Sequence, residues 1–269
     1  MIRKILFPTD FSAVANGAFP FVTTLAEACG ATIVALHVSS AETRGAMGPS
    51  GDFPEPADSA VRMERSIISK AETETYAEVI IRKARARKCD LIVMASHGRS
   101  DVAQFFLGRS VAERVVRDSP TPAVVMRLFS ARRSMRPTGR LDRLTYVTDL
   151  TDASRAVLPI TADIARATGA RINVLCVFAE GDSQQPADGG HAAVRAMMAA
   201  AGLEDALERI DTVRGGTAES IIVHTAENNT DLVAITPALC GGGDGDSAMT
   251  KTAEYVIRRA PCPVLGVRP

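Results

Sequence analysis

The sequence has no excess charge of either sign, because 31 Lys and Arg residues balance 31 Asp and Glu residues among 269. Binding to nucleic acid or to an anionic membrane usually needs a strong basic excess, so we expect neither partner. No apolar run approaches the roughly 20 residues that a membrane-spanning helix requires. The first residues also lack the apolar stretch of a secretory signal, and we therefore expect a cytoplasmic protein.

Cysteine and histidine are few and scattered. The five cysteines include no C-x-x-C pair, and their odd number does not suit a disulfide framework. None of the four histidines has a second histidine at helix or strand spacing, so we predict no metal site. A chain that is 46% hydrophobic and 23% charged has the composition of a globular protein.

The chain repeats itself. Leu6–Ser12 resembles Thr145–Thr151, and 139 residues separate Asp10 from Asp149. After a two-residue adjustment the matches continue at an offset of 141 residues, and they include Ala77-Glu78 with Ala218-Glu219, Asp90-Leu91 with Asp231-Leu232, and Ala112-Glu113 with Ala253-Glu254. Self-similarity over this length predicts two copies of one domain.

The two copies are joined by a short polar segment. Residues 130–140 contain Pro, Gly, Ser and several arginines without apolar periodicity. We interpret them as a solvated linker rather than a nucleic-acid-binding tail. The predicted organisation is a first domain at 1–129, a linker at 130–140 and a second domain at 141–269.

Within each copy, short apolar runs alternate with helical patterns. In the first copy Ser12 is a predicted N-cap and Gly30 a predicted stop for the first helix. Pro20 falls inside this helix and Pro159 inside its counterpart, so a kink is expected in both. Strands that alternate with helices predict a doubly wound parallel sheet, which is an α/β fold.

The two copies differ after their second strand. Residues 39–60 are rich in Gly and Pro, and we expect an irregular, mobile loop there. The matching part of the second copy has a better helix candidate at 192–201.

Candidate ligand-binding residues follow the first and fourth predicted strands of the first copy. Ligands of open α/β sheets lie beyond the carboxyl ends of strands, where the winding direction reverses. The two segments are 8–12 and 94–100, the second followed by 108–110. Glycines there let backbone N–H groups approach phosphate, and Asp10 is placed to accept hydrogen bonds from a base or ribose. The same residues also fit a plainer interpretation, in which Asp10 caps a helix and Gly98 makes an ordinary turn.

These motifs together resemble the universal stress protein family. The likeness rests on Ile5–Ser12, Leu36–Val38, Asp90–Met94 and Ser96–Ser100, and it covers essentially the whole chain as a tandem pair. It implies two tandem five-stranded parallel-sheet domains of the adenine nucleotide α hydrolase-like, Rossmann-like kind, and a non-enzymatic stress-response module. The resemblance also implies possible ATP binding, because one subgroup of the family binds ATP. That subgroup carries the pattern Gly-x2-Gly-x9-Gly-Ser/Thr after strand four.

The resemblance places an ATP or ADP site in the first domain only, with Mg²⁺ present only when nucleotide is bound. The binding residues that it implies are Pro8, Thr9, Asp10, Val38, Met94, Ala95, His97, Gly98, Gly108, Arg109 and Ser110. The first domain departs from the pattern at two points. Ala95 replaces the first glycine, and Arg109 is inserted before Ser110.

The second domain departs further from the pattern. Thr236 and Leu239 stand at the two glycine positions, and Pro237 removes a backbone donor that a phosphate loop needs. Asp149 is retained, and it fits a helix cap as well as a ligand-binding residue. We therefore expect the second domain to be a structural partner with a degenerate motif.

The last predicted strand of each copy is apolar, at 123–127 and at 264–267. An apolar strand at the open edge of a sheet tends to pair with another strand. Members of this family usually pair through these strands. We expect an intramolecular pseudo-dimer, with a homodimer and an unnamed protein partner left open. A weak ATPase or another nucleotide-processing enzyme of the same fold is the alternative function, which a steady-state ATPase assay with Asp10→Ala as control distinguishes. An electron-transfer flavoprotein-like subunit is a third class, and it would be yellow when purified.

Overall fold

A computed structural model describes residues 1–39, 53–56, 60–97, 111–128, 141–178, 188–215, 217–240 and 249–269. The chain divides into two compact units, Met1–Gly139 and Arg140–Pro269. The linker predicted at 130–140 lies outside the described residues, as do Gly98, the segment 108–110 and most of the loop predicted at 39–60.

The first unit is a parallel α/β sheet with the strand order β3-β2-β1-β4-β5. Its elements are β1 (Lys4–Pro8), α1 (Ala13–Cys29), β2 (Thr32–Ser39), β3 (Met63–Ser69), α2 (Tyr76–Ala86), β4 (Leu91–His97), α3 (Val111–Asp118) and β5 (Ala123–Leu128). Strand β1 pairs in parallel with both β2 and β4. The winding direction reverses at β1, so the switch point lies beyond the carboxyl ends of β1 and β4.

The second unit repeats this topology with the strand order β8-β7-β6-β9-β10. Its elements are β6 (Arg143–Thr148), α4 (Asp152–Arg155), α5 (Leu158–Thr168), β7 (Arg171–Phe178), α6 (His191–Ala200), β8 (Leu207–Arg214), α7 (Thr217–Glu227), β9 (Leu232–Ile235), α8 (Lys251–Arg259) and β10 (Val264–Gly266). Strand β6 pairs in parallel with β7 and β9, as β1 does with β2 and β4. The prediction of two tandem doubly wound five-stranded parallel sheets is confirmed.

The central strands carry the core of each unit. In the first unit Ile5, Leu6 and Phe7 are fully buried in succession, although neighbouring side chains of a strand point to opposite faces. Such a run is expected where both faces of a parallel sheet are covered. Helix α1 covers one face, since the rings of Phe7 and Phe19 lie 5.4 Å apart.

The first helix begins and ends where the sequence predicts. The Ser12 side chain accepts a hydrogen bond from the N–H of Ala15, and Gly30 closes the helix in the left-handed conformation. The second unit differs, because two helices, α4 and α5, replace the single helix expected there. Pro159 lies in the first turn of α5, where the absent N–H of proline costs no helical hydrogen bond. The prediction of a kink inside one continuous helix is therefore wrong for the second copy.

Helix α6 confirms the helix predicted near 192–201. Val194 and Met198 are its buried residues, four positions apart on one face. Asp188 holds the start of the helix, since its carboxylate accepts hydrogen bonds from the N–H groups of Ala192 and Gly190. These bonds lower the pKa of the Asp188 carboxyl.

Candidate functional site

A tight turn follows β1 and carries Asp10. The buried Thr9 donates its N–H to the carbonyl of Leu36 at 2.8 Å, and its Oγ1 accepts the N–H of Phe11 at 3.0 Å. Phe11 has a φ of 62°, which an L-residue rarely adopts. Asp10 is exposed, and its Oδ1 accepts the N–H of Ser12 at 3.0 Å. The turn therefore presents the Asp10 carboxylate at the surface, at the carboxyl end of the central strand.

The helix cap and the aspartate are separate features of this turn. Ser12 is the N-cap of α1, with an extended backbone and its side chain 3.1 Å from the N–H of Ala15. Asp10 lies two residues earlier and bonds the N–H of Ser12, which is the geometry of an Asx turn. The interpretation of Asp10 as the cap of the first helix is wrong, because Ser12 fills that role.

His37 joins the end of β2 to this turn. Its Nδ1 lies 2.9 Å from the carbonyl oxygen of Thr9, and the residue is buried. The Phe11 ring stacks on the imidazole with centroids 4.5 Å apart and an interplanar angle of 25°. Phe53 meets the Phe11 ring edge-on at 4.9 Å. The sequence assigns His37 no binding role of its own, since a lone histidine inside an apolar strand has no distinctive pattern.

Several of the residues proposed for nucleotide binding are described by the structure. They lie toward the carboxyl ends of β1, β2 and β4. Pro8 ends β1 and pairs with Leu36, which places Val38 just beyond it on β2. Met94 is buried on β4 and Ala95 is half-buried beside it. His97 is the last residue of β4. The remaining predicted members are Gly98, Gly108, Arg109 and Ser110, all outside the described residues.

The second unit contains the same turn, which carries Asp149. Leu150 has a φ of 65°, and its N–H donates to Thr148 Oγ1 at 3.0 Å. Asp149 Oδ1 accepts the N–H and the hydroxyl of Thr151 at 3.1 and 2.6 Å. Its Oδ2 accepts the N–H of Cys240 at 2.9 Å. Cys240 follows β9 in the segment that matches the predicted phosphate loop of the first unit, so the carboxylate bonds a backbone donor there.

Gly190 packs closely against Leu150, the residue that follows Asp149. A Cβ atom at Gly190 would lie 2.8 Å from Leu150 Cδ1 and 3.6 Å from Cys176 Sγ. Cys176 stands where the first unit has His37, at the repeat offset of 139 residues. Burial raises the pKa of the Cys176 thiol to about 12, as expected for an inert buried thiol. Leu239, in the segment after β9, is fully buried as well.

Each unit is thus a doubly wound α/β domain. Its switch point carries an aspartate that is followed by a residue in the left-handed conformation. A model of the universal stress protein family matches residues 1–127 and 141–268. The chain belongs to the universal stress protein family, as two tandem members.

Individual relatives agree with this assignment. The chain is 25% identical over 142 residues to a universal stress protein of Methanocaldococcus jannaschii, and this match covers 47% of the chain and 83% of the relative. A universal stress protein structure from Archaeoglobus fulgidus matches at 20% identity with a TM-score of 0.71, covering 98% of this chain and 96% of that one. A structure described as a putative universal stress protein, from Pseudomonas aeruginosa, matches at 15% identity with a TM-score of 0.65, covering 100% and 94% of the two chains. At these identities the two structures support the fold alone.

Two kinds of feature are absent from the part of the chain that the structure describes. Among the helices of that part of the chain, none is long and apolar enough to cross a membrane. Within the same residues, no group of three or more His, Cys, Asp and Glu side chains is placed to hold a metal ion.

Proposed function

We propose that this chain is a cytoplasmic, non-enzymatic stress-response protein that binds one ATP or ADP in its first unit. Family membership supports the stress-response role. The observation that favours the first unit is the different exposure of the two aspartates. Asp10 is exposed at the switch point, whereas the matching Asp149 is half-buried. A nucleotide that entered the second unit would therefore meet a less accessible carboxylate.

The residues of the proposed site divide by chemistry. The Asp10 carboxylate accepts hydrogen bonds from the hydroxyl and amino groups of the nucleoside. Pro8, Thr9, Val38, Met94 and Ala95 are assigned to the wall of the nucleoside pocket. The phosphates are assigned to His97, Gly98, Gly108, Arg109 and Ser110, with glycine N–H groups and the Arg109 guanidinium as donors. Mg²⁺ belongs to this site only together with a nucleotide.

Native mass spectrometry of the purified chain tests the proposal. We expect a mass increment of one ATP or ADP per chain, because the nucleoside end is held by Asp10. The Asp10→Ala variant should lose the increment, since a carboxylate that accepts from hydroxyl or amino groups contributes about 1.5–3 kcal/mol for each bond. Asp149→Ala is the matched control and should keep it. A wild-type chain that stays free of nucleotide even after incubation with excess ATP contradicts the proposal.

We also propose that the two domains pair through their last strands as an intramolecular pseudo-dimer. Each of these strands, β5 and β10, lies at one edge of its own five-stranded sheet, and each is apolar. An apolar edge strand left open tends to associate with another strand. Separately expressed segments 1–129 and 141–269 should therefore form a complex with each other in sedimentation experiments. If both remain monomers that ignore each other when mixed, the docking proposal is wrong.

A further inference from the structure

His37 belongs to the candidate site, and one of its ring nitrogens has no hydrogen-bond partner among the described residues. The side chain is 7% exposed, and Nδ1 bonds the carbonyl oxygen of Thr9. Nε2 is buried and has no hydrogen-bond partner within the described parts of the chain. A carbonyl oxygen only accepts, so Nδ1 carries the hydrogen and Nε2 of the neutral ring is an acceptor. Leaving such an atom unpaired is costly, which points to a role beyond packing.

The ring is held in a fixed orientation next to two residues of the proposed site. His37 directly precedes Val38 on β2, and its bond to Thr9 holds the residue that precedes Asp10. Phe11 stacks against the imidazole, so one face and one edge of the ring are fixed. The direction of the Nε2 lone pair is therefore set by the fold.

This acceptor is present only in the unit that we propose binds nucleotide. The matching residue of the second unit is Cys176, a buried thiol whose pKa burial raises to about 12. A protonated thiol is a weak hydrogen-bonding group and leaves little cost when unpaired. The difference between His37 and Cys176 thus parallels the difference between the two aspartates.

We propose that His37 Nε2 accepts a hydrogen bond from the nucleoside half of a nucleotide bound in the first unit. This inference rests on the proposed function. Ionised phosphates have only acceptor oxygens, so they have nothing to donate to Nε2 or to the Asp10 carboxylate. The 2′- and 3′-hydroxyl groups of ribose and the 6-amino group of adenine are donors. Because Nε2 is buried, the side chains that cover it must move when the nucleoside binds.

A cycle of protein variants and nucleotide analogues tests the contact. The His37→Asn variant retains an amide N–H at the place of Nδ1, so it preserves the bond to Thr9 while it removes the Nε2 acceptor. Calorimetry on the full chain would compare ATP with 2′-deoxy-ATP, 3′-deoxy-ATP and purine riboside triphosphate, each of which lacks one donor. The wild type should bind one of these analogues about fivefold to tenfold more weakly than ATP. In His37→Asn that ratio should fall to about one, and the analogue concerned identifies the donor.

Two further measurements keep the assignment testable if His37→Asn does not fold. The His37→Cys variant copies the second unit, and it should show the same loss of discrimination. In the wild type, the ¹⁵N resonance of Nε2 should move upfield when ATP is added, as expected for a nitrogen that begins to accept a hydrogen bond. ATP binding with equal ratios in all variants and an unmoved Nε2 resonance would overturn the role of His37 alone. A wild type that binds no ATP would overturn the proposed function and this inference together.

Discussion

Calorimetric titration of ATP into the full chain should give a stoichiometry near one, with the nucleotide in the first unit. The first unit retains Asp10, Val38, Gly98 and Gly108, whereas the second unit has lost the glycine positions. Each phosphate-facing N–H that is lost should remove a charge-assisted hydrogen bond of about 1.5–3 kcal/mol. Two such losses lower the affinity by more than about a hundredfold, which empties the second site at ordinary nucleotide concentrations.

Two matched variants locate the binding unit. Gly98→Asp should abolish binding, because it places a carboxylate where the phosphates are expected. Asp149→Ala should leave the stoichiometry near one. A stoichiometry near two, or binding that survives Gly98→Asp and fails in Asp149→Ala, would reverse the assignment. With no detectable binding, the Arg109 insertion would be the first feature to remove by deletion.

Asp149→Ala should instead destabilise the second unit by about 2 kcal/mol. The carboxylate accepts hydrogen bonds from Thr151 and from Cys240, which lie in two segments far apart in the sequence. In the Asp149→Ala variant these donors bond to water or remain unpaired. The hydrogen bonds that link the two segments through the carboxylate are then lost. Chemical denaturation of the full chain, followed by circular dichroism, should show the unfolding transition of the second unit at lower denaturant concentration.

Asp152→Ala provides the control for this measurement. Its side chain is 99% exposed, and its contact with Arg155 is 3.5 Å long. Removing it should change the free energy of unfolding by no more than about 0.5 kcal/mol, as for most surface substitutions. Asp149→Asn should fall between the two, because it retains one acceptor oxygen without the charge. If Asp149→Ala and Asp152→Ala prove equally stable, the contact with Cys240 contributes nothing.

The sequence predicts the fold well because the fold depends on local signals. Apolar strand runs, the N-cap at Ser12 and the stop at Gly30 each act within a few residues, and each appears in the structure. Pro159 departs from the prediction for a related reason. Proline is compatible both with a kinked helix and with the first turn of a new one, and sequence position alone does not separate these outcomes.

The site is less predictable because its contacts join distant residues. The bond between Asp149 and Cys240 spans 91 positions, and that between His37 and Thr9 spans 28. Neither pair has a spacing that a motif describes. The resemblance to a known family identified Asp10, but it carried no information on what surrounds the matching aspartate of the second unit.

A comparison of the two halves of this chain also indicates which features of the turn are older than the duplication. The left-handed residue after each aspartate, and the threonine hydroxyl that holds its N–H, occur in both units with nearly the same geometry. Features shared by both copies of a duplicated domain are most simply inherited from the single ancestor. The turn is therefore older than the duplication, and its backbone strain belongs to the scaffold rather than to any ligand. What surrounds the turn differs between the copies, since Cys176 and Leu239 stand in the second where His37 and Gly98 stand in the first.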